Sequence, residues 1–216
     1  MHLLKKIVRW SRSARAWCWR PYYRAYAKLR RVNAHPSVFF AGRPFFMCCE
    51  GASITLKEGV KLYSKPASNP VIGRACLSMY AMCPGARIIL EKNVGASGVC
   101  LCAATEIIIG EGTMLGADCV ITDTDFHLPE AGWTWDNSFK ETSIPVRVGR
   151  GCFIGTRAII LKGVTLGDCV VVAAGAVVTR DVPAGHLAFG NPAQIRPLSG
   201  KWLRPEMAGS CQVPRP

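Results

Sequence analysis

The chain has 216 residues, half of them apolar, with 27 Lys or Arg against 14 Asp or Glu and a formal charge of +13. That length allows one domain with a tail or two around a sizeable core. A transmembrane helix is excluded because every apolar run is broken by Arg, Lys or Gly well before about 18 residues. The N-terminus lacks the uninterrupted apolar core and small-residue cleavage site of a signal peptide, so a cytoplasmic location is expected.

The charge is uneven. Residues 1–49 hold eleven Lys or Arg and no acid, whereas the other 167 hold sixteen bases and fourteen acids. Within residues 1–36, Leu3, Ile7, Trp10, Ala14 and Trp17 recur at helical spacing with Lys6, Arg9, Arg12, Ser13 and Arg20 largely off that stripe, and Pro21 is expected to end or kink the helix. With Trp10, Trp17, Trp19, Tyr22, Tyr23 and Tyr26, the basic segment 1–31 reads as an interfacial helix that could lie on an anionic membrane. Packing against a neighbouring subunit or under the core, and nonspecific nucleic-acid binding, are the competing readings. No recognisable nucleic-acid-binding fold accompanies it, and a nucleic-acid partner is not expected.

Residues 37–71 are irregular and rich in Gly, Pro and Ser, apart from a six-residue step from Ile54 to Val60, and are expected to cap or start the domain that follows. From Ile72 a period of six becomes readable through Ser78, Pro84, Leu90, Ala96 and Cys102, with Cys76, Met82, Ile88, Val94 and Cys100 at a second inward position. The phase then slips by one residue near 105–108, which asks for a bulge or a loosened corner. Ile109, Leu115 and Ile121 carry the next set. The beat is strictest from Val148 through Ile154, Ile160, Leu166 and Val172 to Val178. Cys152, Ala158, Val164, Val170, Ala176 and Val182 keep time four residues on, and Gly149, Gly155 and Gly167 directly follow an aliphatic residue.

A strict six is neither a helical nor a simple alternating period; it specifies a repeat architecture, here an all-β solenoid of three short strands per coil. The aliphatic and small positions face the bore, and glycine permits the tight corner. Cys76, Cys100 and Cys152 fall on small inward positions and read as reduced core residues. No CxxC pair suggests a metal.

Between Ile121 and Val148 the beat stops for a span that is not a multiple of six, so an excursion is inserted, with residues 127–147 as its body. It contains Asp123, Thr124, Asp125, Phe126, His127, Trp133, Trp135 and Phe139, and a loop on a rigid scaffold is where function concentrates. Residues 197–216, rich in Pro and Gly and aperiodic, are expected to be a poorly ordered tail.

The hexads, the string DTDFH at 123–127, the upstream SGVCLCAATEIIIGEGTMLGADCVIT at 97–122, and the downstream IGTRAIILKGVTLG, VVAAGAVVTRDVP and GNPAQIR resemble the hexapeptide-repeat acyltransferases, in their sugar and polysaccharide O-acetyltransferase branch. The resemblance covers residues 72–196. It implies a left-handed parallel β-helix and transfer of an acetyl group from acetyl-CoA, without a metal, to a sugar hydroxyl of a surface polysaccharide, a lipopolysaccharide unit or a lipid-linked precursor. It further implies a homotrimer with each site between adjacent chains, which a peripheral position at the inner face of the cytoplasmic membrane would suit.

Carried over by position, His127 is the general base. A neutral imidazole suits that task because a hydroxyl is a poor nucleophile until its proton is taken. Asp125 or Asp123 could fix its tautomer, although Asp also favours turns. Ser97 stands where relatives carry a polar residue near the acceptor, and Trp133 and Trp135 could stack on a sugar ring or simply pack. For the coenzyme, the resemblance implies that Thr156 and Ala174 contact the pantetheine arm and that Thr179, Arg180 and Arg196 lie near the phosphates, where cations are needed. Phe153 and Gln194 depart from the residues usual there. Two other readings compete: a noncatalytic β-helical scaffold or regulatory subunit, and a metal-dependent hydratase. The latter needs three converging histidines, and only His2, His35, His127 and His186 exist.

Overall fold

A computed structural model describes residues 19–66, 69, 71, 76–138 and 140–199. The described chain winds into a three-faced prism of parallel strands. The first face stacks Val32–Ala34, Ser53–Leu56, Arg87–Leu90, Glu106–Ile109, Val146–Val148 and Thr165–Leu166. The second stacks Phe39–Ala41, Lys61–Tyr63, Gly95–Ser97, Met114–Leu115, Phe153–Ile154, Val171–Val172 and His186–Phe189, and ends on Gln194–Pro197, which runs antiparallel to its neighbour. The third stacks Phe45–Cys48, Ser78–Ala81, Cys100–Ala103, Val120–Thr122, Ile159–Ile160 and Val177–Val178. One strand from each face makes a coil, and backbone groups pair from coil to coil at about 4.8 Å per step.

In the last two complete coils the six-residue beat translates directly into register. Val148 sits on Leu166, Ile154 on Val172 and Ile160 on Val178. These six residues and the small set Cys152, Ala158, Val164, Val170, Ala176 and Val182 are all buried in the bore. The corner glycines have a different task from the one expected. Gly149, Gly155 and Gly167 do not occupy the left-handed region; a Cβ on Gly155 would stand 2.4 Å from the Ala174 amide nitrogen, and one on Gly149 2.6 Å from the Asp168 nitrogen. They are glycines because the next coil's backbone passes where a side chain would begin. The sharp turn is made two residues later, at Gly151, Arg157, Gly163, Cys169 and Gly175, all with φ between 56° and 76°. That set also keeps the six-beat, and it admits residues other than glycine.

Upstream the phase differs from the expected one. Leu77, Met79, Leu90, Ala96 and Leu101 are buried, whereas Pro84 and Cys76 are exposed and Ser78, Met82 and Cys100 are only half-buried. Leu90 pairs with Ile109, Ala96 with Leu115 and Leu101 with Ile121, so the corner after Ala96 is one residue short and the next is two residues long, with Ala103 and Ala104 buried in it. The single slip expected at 105–108 is therefore two opposite slips. Cys76, Cys100 and Cys152 are free thiols, but only Cys152 is buried. Ile72 lies outside the described residues.

Of the two readings of residues 37–71, cap or start, the strands show the start of the solenoid: Val32 pairs with Ile54 and Phe40 with Leu62, and Leu56 and Leu62 pair with Leu90 and Ala96. Its period is hidden because its coils are longer than eighteen residues. The cap is instead the helix Arg20–Leu29, which lays Tyr23 on Phe40 and Tyr26 on Phe46 and buries Ala27. Pro21 stands in the first turn of this helix. At the first helical positions a missing N–H costs nothing, because no intrahelical acceptor exists for it. The apolar stripe from Leu3 to Trp17 lies outside the described residues, as do residues 200–216 of the tail. Leu198 is buried and its amide donates to the Gly185 carbonyl.

Gly155→Ala should lower the unfolding free energy by about 2 kcal/mol or more, because only backbone faces the new methyl and cannot yield. Gly175→Ala, with open space around its Cβ but φ of 70°, should cost about 1 kcal/mol. Denaturant titration of both variants checks this order.

Candidate functional site

The excursion spans the gap between the strands Val120–Thr122 and Val146–Val148, at the edge where the third face turns into the first. Its root is held by Asp123. That side chain is fully buried, and its two oxygens accept hydrogen bonds from the amides of Ala104 at 2.7 Å and of Thr105 and Glu106, each at 2.7 Å. These amides line the long corner of the preceding coil, where regular pairing fails, so the carboxylate replaces the missing ladder acceptors. Burial pushes the carboxyl up from its ordinary value, against the pull of the three donors. Both Asp123 oxygens are thus engaged by backbone amides, and neither bonds to His127.

The other expected partner is engaged as well. Lys162, on the next coil, donates from Nζ to Asp125 Oδ2 and to the Thr142 carbonyl at 3.1 Å. One ammonium therefore ties the outgoing and returning limbs of the excursion together. The returning limb is fixed further by Ile144, whose amide donates to the Asp123 carbonyl at 2.8 Å and whose carbonyl accepts from Gly163 at 2.9 Å. The Thr105 and Ser143 hydroxyls are also bonded to each other. His127 follows Phe126, which takes φ of 67°. Its ring is exposed and has no hydrogen-bond partner among the described residues. Beyond it Leu128–Pro129 and Trp135–Asp136 form an antiparallel hairpin that holds Trp133 and Trp135 in solvent, Trp133 fully exposed.

The remaining candidates divide between two edges of the prism. Thr179 and Arg180 follow the third-face strand of the sixth coil, on the same edge as the excursion. They line a cavity of about 560 Å³ with Phe189, Gly190, Asn191 and Gln194. Arg196 lies outside that lining and places its guanidinium 5.0 Å from the centre of the Phe189 ring. Ser97, Thr156 and Ala174 occupy the other edge, between the second and third faces. Ser97 accepts from the Asp118 amide there, and Thr156 from the Gly175 amide. One chain therefore brings His127, Thr179 and Arg180 to one edge and Ser97, Thr156 and Ala174 to another. Among the described residues no group of three or more His, Cys, Asp or Glu side chains could hold a metal ion.

Sequence reasoning missed Lys162 and the three amides that Asp123 accepts from. Neither Lys162 nor Asp123 sits on the repeat, and an outward lysine in a hexad carries no signal of what it will reach. Asp123→Ala should leave three buried amides without acceptors and cost about 3–5 kcal/mol in unfolding free energy. Lys162→Met should change stability by no more than about 1 kcal/mol, as expected for a partly exposed pair, yet raise hydrogen exchange across 124–142. Mass-spectrometric exchange reads both.

A family model described as the hexapeptide repeat of succinyl-transferase matches residues 106–122 and 145–180. A Schizosaccharomyces pombe protein named for acetyltransferase activity is 38% identical over 88 residues, covering 41% of this chain and 41% of that protein. A 2,3,4,5-tetrahydropyridine-2,6-dicarboxylate N-acetyltransferase of Staphylococcus aureus is 49% identical over 51 residues, covering 24% of this chain and 21% of that protein. The matches thus span well under half the length of these curated relatives. Among solved structures, the polysialic acid O-acetyltransferase OatWY superposes with a TM-score of 0.54 at 17% identity, covering 81% of this chain and 89% of that one. A hexapeptide-repeat acetyltransferase from Vibrio cholerae O1 biovar eltor, complexed with acetyl coenzyme A, gives 0.52 at 19% identity over 88% and 87%. A variant of the Bacillus cereus N-acyltransferase AntD, with dTDP-4-amino-4,6-dideoxyglucose and coenzyme A, gives 0.56 at 13% identity over 87% and 92%. At such identities the likeness is one of fold. The family model matches the six-residue beat over residues 106–122 and 145–180, the coils close as that beat requires, and the chain is folded as a left-handed parallel β-helix, the fold of these structures.

Proposed function

We propose that the chain is an acetyl-CoA-dependent O-acetyltransferase that modifies a sugar hydroxyl of a surface polysaccharide, a lipopolysaccharide unit or a lipid-linked precursor, with His127 as general base. The observation that carries this reading is the excursion. It breaks the prism after the fourth coil, is tied down at both limbs, and presents an exposed, unpartnered imidazole on the edge that also holds the Thr179–Arg180 cavity. Two coil steps, about 10 Å, separate the two along that edge. In the proposed reaction the imidazole takes the hydroxyl proton as the oxygen attacks the thioester carbon. The carbon–sulfur bond then breaks, and the proton passes to the departing thiolate. Arg180 supplies a cation for the coenzyme's phosphates, and Trp133 and Trp135 offer faces for the sugar.

Ser97, Thr156 and Ala174 lie on the other edge, so they join this site only when contributed by a second copy of the chain. That favours the homotrimer. The outer surface of the second face supports such a contact: Met114 and Phe153 are paired neighbours there and remain 48% and 44% exposed. No described helix is long and apolar enough to cross a membrane. A peripheral, cytoplasmic position with a membrane contact through residues 1–31 accords with a lipid-linked acceptor.

His127→Ala should reduce acetyl transfer to a responsive glycan at least about 100-fold while leaving coenzyme A affinity, measured by calorimetry, unchanged. Equal rates of coenzyme A release by the two proteins overturn the assignment. Mixing His127→Ala chains with Thr156→Trp chains, each inactive alone, should restore part of the activity if the two residues meet across chains, and none if each chain is self-sufficient.

A further inference from the structure

We infer that the helix-capped end of the prism docks on an anionic lipid bilayer, so that the coil axis stands upright on the membrane. Residues 19–49 contain six Lys or Arg and no acid, and the eighteen residues before them add five more bases and no acid. In the fold Arg24, Lys28, Arg30, Arg31 and Arg43 gather at the end that begins the prism. The helix Arg20–Leu29 turns Tyr23, Tyr26 and Ala27 onto the first coil. Its solvent side carries Arg24 and Lys28 on one flank and Trp19, Tyr22 and Leu29 on the other, with Leu29 79% exposed and Trp19 54%. Arg30 and Arg43 flank the Tyr26 ring at the helix margin, at 6.0 and 5.6 Å from its centre.

A solvated charged face would not hold a tryptophan, a tyrosine and a leucine in water beside its cations. Cations interleaved with aromatic and aliphatic side chains match the headgroup layer, where phosphate meets acyl chain. A nucleic acid would satisfy the charge but leave Leu29 exposed. On the outer surface of the first face, Glu106 is held between Arg87 and Arg147.

End-on docking fixes heights above the bilayer. The excursion leaves from the fourth coil, about 14 Å above the first, and the Arg180 cavity follows the sixth, about 24 Å above it. Resting on the function proposed above, this places the transfer site a few sugar units above the lipid and makes a membrane-borne glycan the preferred acceptor class.

The test is flotation of the full-length protein with vesicles of phosphatidylcholine alone or with one third phosphatidylglycerol. Binding should be at least roughly tenfold tighter to the anionic vesicles, fall as salt rises, and drop roughly 30-fold in Arg24→Glu/Lys28→Glu. Trp19→Ser/Leu29→Ser, which alters no charge, should weaken binding with little change in its salt dependence. Charge-reversed protein that binds within twofold of wild type, equal binding to both vesicle types, or preference for duplex RNA over anionic vesicles overturns the inference. Circular dichroism identifies a variant that has unfolded, in which case the other variant decides. Acetyl transfer to a soluble acceptor should be the same in wild type and the charge-reversed variant. If wild type docks but transfers nothing, the docking stands and the catalytic reading falls.

Discussion

Everything in this molecule depends on how closely one coil can approach the next. Ladder pairing brings the backbones within about 5 Å on all three faces, and at several corners the approach leaves no room for a Cβ. At Gly110, Gly116, Gly149, Gly155 and Gly167 a methyl would come within 2.6 Å of the neighbouring coil's backbone. The bore side chains follow from that spacing, because stacked aliphatic residues in register fill the prism without gaps. The left-handed corner residues follow too, since each coil must turn three times in eighteen residues. Where the coil is regular the scaffold is rigid and chemically quiet. Where it fails, as at the long corner 102–106, backbone amides are left over, and the fold must recruit a side chain to satisfy them.

That recruitment explains why the excursion begins where it does. Asp123 closes the irregular corner of one coil while it starts the departure from the next, so the loop with His127 is anchored to a defect in the ladder beneath it. Lys162 then ties the limbs to the coil above. The loop that carries the imidazole is thus tied from both sides of its own coil, although the ring has no hydrogen-bond partner among the described residues.

The sequence made the second half of the prism legible because Val148 to Val178 obey one period, with each inward residue and each register pair following from it. The first half was obscured for a physical reason. A coil that contains an insertion still stacks correctly if its three strands are in place, so Ile54, Leu62 and Met79 can be bore residues without any fixed spacing between them. The helix that follows Pro21 was not legible, because it rests on Tyr23 and Tyr26 packing on Phe40 and Phe46, a contact that no local pattern encodes. The position of His127 was legible from the interruption and its neighbouring string. The engagement of Asp123 and Asp125 was not, since their partners lie seventeen to thirty-seven residues away on other coils.

The antiparallel strand Gln194–Pro197 has a consequence for how such a chain survives at high concentration. A stack of parallel, in-register strands is an open-ended template: its last rung offers the same unpaired groups as every rung before it, and another chain could add to it without limit. Here the final second-face rung, His186–Phe189, is covered by the chain's own reversed strand, and at the other end the helix lies across the first coil. The solenoid therefore contains the means of its own termination, which keeps a cross-β-like ladder a discrete molecule rather than the seed of a fibre.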